Sequence, residues 1–187
     1  MSLPLRTRSL RARTVLHRIH RLIHDPIFFG PNGAAPDLRY DDPDGTFKVL
    51  YLARKLETAF GETLVRVPTV TDVLSTDVLV RARSEIATSS TLRLYPLDDA
   101  GISAHGLRLS DVMGDNYVAT WKLSAYIHAN TAADGIAYIS RFNGGPCIAL
   151  FDRAAPAIAK TSLLAVPLTP EVGTELARRF GKNYVEP

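Results

Sequence analysis

The sequence predicts a single α+β domain in which mixed β-sheets carry flanking helices. Three observations lead there. At 187 residues the chain has the length of one domain. Its 46% hydrophobic content supplies a core, and with 22% charged residues the composition is not that of a disordered chain. Strand and helix patterns interleave without the steady β-α-β rhythm of a doubly wound parallel sheet.

The elements follow in order. Segment 15–19, VLHRI, suits a short strand, although Leu16, Ile19, Leu22 and Ile23 equally suit a helical stripe, and periodicity leaves both open. A loop rich in Gly, Pro, Asn and Asp runs through DPIFFGPNGAAPD and RYDDPDG. FKVLYLA (47–53) reads as a strand from its β-branched and aromatic content. From 55 to 65, Leu56, Ala59, Phe60, Thr63 and Leu64 recur at the spacing of an amphipathic helix. Residues 66–110 are mixed, with a strand at LRLYPL (92–97). Asp115 is the expected cap of a helix reaching Ala129, with Val118, Trp121, Ala125 and His128 on its buried stripe. GIAYIS and CIALFD read as strands joined by the turn RFNGGP. Thr169 as N-cap, Pro170 at the first helical position and Gly181 beyond the last turn punctuate a final helix.

Charge and cysteine content narrow the function. Residues 1–24 hold Arg6, Arg8, Arg11, Arg13, Arg18 and Arg21 and no acid, so the net charge of +3 becomes about −3 without them. A nucleic-acid surface spread over the fold is therefore not expected. The basic start fits a transit peptide, an arm for nucleic acid or an acidic partner, or a solvated end. His and Arg interrupt TVLHRIHRLIH, unlike the continuous apolar core of a secretory signal. No run has the roughly 18 apolar residues of a membrane-spanning helix. The single Cys147 excludes a disulfide framework within the chain, and a reducing cytoplasm fits best.

Familiar nucleotide motifs are missing, both the G-x-G-x-x-G turn after a strand and the phosphate loop ending in Lys-Ser/Thr. His17, His20 and His24 have no acid or cysteine beside them to complete a metal site, and no metal is expected. Cys147 lies in an apolar run, as a small buried side chain does. Arg39, Tyr51, Glu62 and Ser140 form a more suggestive set. Glu62 points well away from the apolar stripe of its helix, so it either faces a ligand or pairs with Arg66 one turn on. Gly61 beside it costs about 1 kcal/mol relative to Ala in a helix. That cost has a rationale if a ligand must approach Glu62 closely. Tyr51, Ser140 and Arg39 equally suit a core aromatic, a turn hydroxyl and a solvated loop residue.

LHRIH, then FFGPNGAAPDLRYDDPDGTFKVLYLARKLETAFGETLVR, then TWKLSAYIHANTAADGIAYISRFNGGPCIALFD resemble the RES domain family over roughly residues 15–155. The most specific stretches are LYLARKLETAFGE, with Tyr51 and Glu62 eleven positions apart, and DGIAYISR followed by CIALF. The sequence departs from the family at LRYDDP, where many members have Gly-Arg-Phe or Gly-Arg-Trp, and in its Arg-rich start. The resemblance implies an ADP-ribosyltransferase-like domain over 15–187, preceded by a basic segment at 1–14, with mixed sheets around an NAD cleft. It also implies a toxin that cleaves NAD⁺, as glycohydrolase or phosphorylase, and releases nicotinamide. NAD⁺ is then substrate, with no resident cofactor. The implied partner is an antitoxin with a helix-turn-helix-like domain, through which alone the chain would meet nucleic acid. Homo-oligomerisation stays open.

By position, the family's functional residues fall on Arg18, Arg39, Tyr51, Glu62 and Ser140. An arginine fork grips pyrophosphate, an aromatic ring stacks on nicotinamide, and a carboxylate opposes the oxocarbenium charge developing on the ribose. The resemblance thus assigns Glu62 to the ribose, Arg39 and Arg18 to the phosphates, Tyr51 to the nicotinamide, and Ser140 to the ribose or to Glu62. Two alternatives stay open: a mono-ADP-ribosyltransferase acting on a protein, and a non-enzymatic nucleic-acid binder using the basic N-terminus.

Overall fold

The computed structural model describes residues 6–30 and 35–187. Residues 1–5 of the basic segment and 31–34 of the Gly- and Pro-rich loop lie outside them. The chain begins with β1 (Arg8–Leu10), β2 (Val15–Arg21), β3 (Val49–Ala53) and α1 (Leu56–Leu64). The middle contributes β4 (Asp72–Leu74), α2 (Ser75–Leu79), β5 (Arg81–Thr88), β6 (Leu92–Pro96), α3 (Asp99–Ala104) and α4 (Leu109–Met113). Then come α5 (Val118–Asn130), β7 (Gly135–Ile139), β8 (Pro146–Phe151), a 3₁₀ turn at Asp152–Ala157 and β9 (Ile158–Lys160). The chain ends with β10 (Val166–Pro167), α6 (Pro170–Arg179) and β11 (Asn183–Val185).

Nine strands form one sheet in the order β1-β6-β7-β8-β3-β2-β5-β10, with β9 also on β5. The sheet is mixed: β6 and β7 run parallel and the other pairs antiparallel. A second, two-stranded parallel sheet joins β4 to β11. The predicted α+β class with mixed sheets and flanking helices is the one observed.

Period-2 alternation builds two cores, one on each face of the large sheet. Val49 and Ala53 of β3, with Cys147, Ala149 and Phe151 of β8, point to the core shared with α1, α5 and α6. Leu50 and Leu52, with Ile148 and Leu150, point to the opposite core, alongside Leu16 and Ile86. The segment at 15–21 resolves as a strand, since β2 pairs with β5 through all seven of its residues.

Two expectations about α5 change. Its N-cap is Tyr117, not Asp115, whose carboxylate instead pairs with Arg141. Its buried residues are Thr120, Leu123, Ser124 and Ile127, whereas Val118 of the expected stripe is 48% exposed. The reason is polar burial: Ser124 donates to the Tyr40 carbonyl at 2.7 Å, and Thr120 donates to the Tyr117 carbonyl at 2.9 Å. An apolar stripe therefore does not mark this helix's inner face. The final helix keeps its punctuation, with Thr169 accepting from the Val172 amide and Gly181 at φ +64°.

Candidate active site

The site lies where the sheet splits. β2 pairs along its whole length with β5 but meets β3 only at His17 and Ala53. The gap between β2 and β3, crossed by α1, opens into a cavity of about 250 Å³. β2 contributes Arg18 and Arg21, β3 Tyr51, and α1 Glu62 with Arg66 just beyond it. Arg39, Tyr117 and Arg141 complete the walls from three loops.

Its electrostatics are lopsided. Arg18, Arg21, Arg39, Arg66, Arg81 and Arg141 line it, and Glu62 is the one carboxylate among its described lining residues. Glu62 is half-buried, with no ion pair and no side-chain hydrogen bond among the described residues. The pair to Arg66 that the sequence offered as an alternative is not formed. Beneath it, Cys147 is 1% exposed, and burial followed by the charge of Glu62 pushes its thiol up. A protonated, inaccessible thiol is no nucleophile.

The other expected residues divide. The Tyr51 hydroxyl donates to Asp41 at 2.9 Å and accepts from the Tyr40 amide at 2.9 Å, which holds the loop carrying Arg39. Burial, then the neighbouring Asp41 charge, pushes this phenol well up, so it stays protonated. Its ring remains as cavity wall. Arg39 is buried, donates to the Val112 carbonyl and lies 5.3 Å from the Tyr117 ring centroid. Arg18 donates to the Pro26 carbonyl at 2.6 Å; burial brings its guanidinium down to about 10, against the attraction of Asp25. Arg18, Arg39, Tyr51 and Glu62 thus come together around one space.

Ser140 does not join them. It is 2% exposed and absent from the lining residues. Its hydroxyl accepts from the Phe142 amide at 3.2 Å, and its backbone closes the turn to Gly144 and Gly145. In this arrangement its hydrogen bonds support the turn that presents Arg141 and Phe142.

Gly61 also has a different reason from the one expected. A Cβ there would stand 2.7 Å from the Phe180 ring and 3.4 Å from Phe142, so this glycine lets α6 pack on α1. Arg141, Tyr117 and Arg81 were not singled out in the sequence. Only Arg141 carried a signal, standing directly after Ser140 in YISR. Among the described residues no three His, Cys, Asp or Glu side chains cluster as metal ligands.

The RES domain model matches residues 15–169. The chain belongs to the RES domain family. No curated protein sequence matches it. This RES domain is similar in structure to a chain of the M. tuberculosis MbcT-MbcA toxin-antitoxin complex, with a TM-score of 0.73 and 16% identity over 91% of this chain and 92% of that one. At that identity the likeness concerns the fold. No helix in the described residues of the RES domain is long and apolar enough to cross a membrane.

Proposed function

We propose that this RES domain cleaves NAD⁺ and releases nicotinamide, and that it acts as a toxin restrained by an antitoxin. The observation that carries the reading is Glu62, a carboxylate without a counter-ion among the described residues, set in a cavity lined by six arginines. Such a site suits a substrate that is anionic overall and becomes cationic at one carbon. Arg39 and Arg18 take the pyrophosphate. The Tyr51 ring takes the nicotinamide. The bond between the ribose anomeric carbon and the pyridinium nitrogen breaks, its electron pair neutralises the ring, and no proton is needed for departure. Glu62 opposes the oxocarbenium charge left on the ribose. Ser140 supports this arrangement from behind, through its turn.

Water as acceptor yields ADP-ribose and a proton; phosphate yields ADP-ribose esterified at the anomeric carbon. Beyond Arg18 and Arg39, the lining guanidiniums of Arg21 and Arg66 have no ion pair or hydrogen bond among the described residues, which favours the anionic acceptor. A protein side chain as acceptor, the ADP-ribosyltransferase reading, uses the same cation. The nucleic-acid reading draws on the arginines of residues 1–24, of which Arg18 and Arg21 face the cavity. The toxin reading takes support from family membership and from the toxin-antitoxin complex that holds the structural neighbour. It makes a cytoplasmic setting and an antitoxin with a helix-turn-helix-like domain the natural expectation.

Purified protein incubated with NAD⁺ in a chelating buffer, with and without phosphate, is expected to release nicotinamide. The second product identifies the acceptor. Undiminished NAD⁺ with folded, partner-free protein overturns the reading. In cells, expression without a partner is expected to lower NAD⁺ and stop growth; normal growth at normal NAD⁺ removes the toxin role.

A further inference from the structure

We infer that Arg141 is a positioning residue of this site: its guanidinium is the strut that sets the wall carrying Glu62 against the wall carrying Arg39 and Tyr117. The kinetic part of this inference rests on the NAD⁺ reading. The turn presenting Arg141 is fixed at both ends. Ser140 donates its amide to the Gly145 carbonyl at 2.8 Å, and Asn143 reaches across to Thr58 on α1 at 3.1 Å. From this base Nη2 of Arg141 donates to the Arg66 carbonyl at 3.1 Å, one turn beyond Glu62. Nη1 reaches the other wall, donating to the Met113 carbonyl at 3.3 Å and to Asp115 at 2.5 Å. Arg39 donates to the neighbouring Val112 carbonyl. Two cavity arginines therefore dock on adjacent carbonyls at the end of α4, and one of them continues to the segment just beyond the helix of the carboxylate.

Stability alone is a poor reason for this arrangement. The Arg141 side chain is only 12% exposed, yet its partner Asp115 is 83% exposed, a geometry in which ion pairs contribute little. Nε of Arg141 is buried with no acceptor among the described residues. Unpaired buried donors are rare and call for an explanation. A planar fork that joins three acceptors on two walls supplies one, because lysine has no equivalent geometry.

Trp121 is the only tryptophan and sits on the second wall. Its indole donates to the Leu38 carbonyl at 2.9 Å, and its ring centroid is 6.5 Å from that of Tyr117. Acrylamide quenching of its fluorescence therefore reads the wall without any substrate. Arg141→Met and Asp115→Ala are both expected to increase quenching. Both are also expected to lower kcat for nicotinamide release, Arg141→Met by roughly 10- to 100-fold, with KM little changed. Arg141→Lys should recover only part of the loss. The double variant should be no worse than Arg141→Met alone. Arg153→Met, which frees the carbonyls of His128 and Thr131 at the far end of α5, should leave both readouts unchanged.

Unchanged quenching in Arg141→Met and Asp115→Ala overturns the inference. So does a rise in KM at constant kcat, which would make Arg141 a direct substrate contact. If the wild-type protein releases no nicotinamide, the proposed function falls and quenching alone decides the strut. If Arg141→Met does not fold, Arg141→Lys, which keeps the charge and the stem but loses the fork, decides it: quenching equal to that of the wild type overturns the strut.

Discussion

In the proposed mechanism Glu62 works by contrast with its surroundings. Arginines around it favour an anionic ligand, and the proposed reaction uses the lone carboxylate among them against the positive charge that appears on the ribose. Glu62→Gln keeps the side-chain shape and removes that charge. The expected result is a fall in kcat of at least about 10²-fold, or ~2.7 kcal/mol, with KM nearly constant. Turnover close to wild type in a folded Glu62→Gln protein would sink the mechanism. At the residue scale the resemblance to the RES domain family was more informative than any local pattern. Arg18, Arg39, Tyr51 and Glu62 sit in segments specific enough to be placed, and all four line the cavity. Arg81 and Tyr117 were illegible, because an isolated Arg or Tyr in a mixed region carries no periodicity that ties it to a site far away in sequence. The inward turn of Ser140 was equally hidden, since serine suits a ligand and a tight turn alike.

Among the elements, those with apolar alternation or capping punctuation were legible, and the short or polar ones were not. β3, β7 and β8 alternate between two apolar cores and announce themselves. β5 is longer, yet its buried positions are Ala82, Ser84, Ile86 and Thr88, mostly small or polar, so it reads as nothing in particular. The short α2, α3 and α4 hold too few turns for a stripe to emerge. In α1 the pattern was read correctly, but Gly61 acquired a meaning only when α6 arrived. The Phe60 and Phe180 rings stack with centroids 6.3 Å apart, and Gly61 is the gap into which Phe180 fits. Gly61→Ala gains up to ~1 kcal/mol of helix propensity but overpacks a site where such insertions cost about 1–3 kcal/mol. The net expectation is a modest loss of stability, with Tm lower by a few degrees, and an unchanged KM for NAD⁺. A large rise in KM at constant Tm would restore the view that this glycine keeps a path open for ligand.

At the scale of the whole molecule, the split between β2 and β3 concentrates charge that the sequence presents as a basic start on an acidic body. Arg6 pairs with Asp98 at 3.2 Å and Arg8 begins β1, while Arg18 and Arg21 turn to the cavity, where Arg39, Arg66, Arg81 and Arg141 join them. The same burial acts on the histidines. In His17, His20, His105 and His128, burial is the leading influence and holds each imidazole below its ordinary value of 6.5. For His17 the attraction of Glu85 opposes burial without overcoming it. His20 is further fixed by a 2.8 Å hydrogen bond to Ser84. Because these groups bind protons more weakly when folded, the unfolded chain takes up protons first as pH falls. Their contribution to stability is therefore complete above about pH 6.5 and is lost as pH drops through the folded-state values. Hydrogen bonds to Asp42 outweigh its burial, and the Lys160 ammonium acts on Asp25; both carboxyls are held below their ordinary value, giving the same sign in a window below about pH 4. Acid should destabilise the protein in two stages, the first from histidines alone. Urea midpoints measured at constant ionic strength are expected to fall between pH 7.5 and 5.5 and again below pH 4. His20→Gln should shrink the first step and leave the second in place. A midpoint that stays level or rises from pH 7.5 to 5.5 would mean that these imidazoles are not held neutral by the fold.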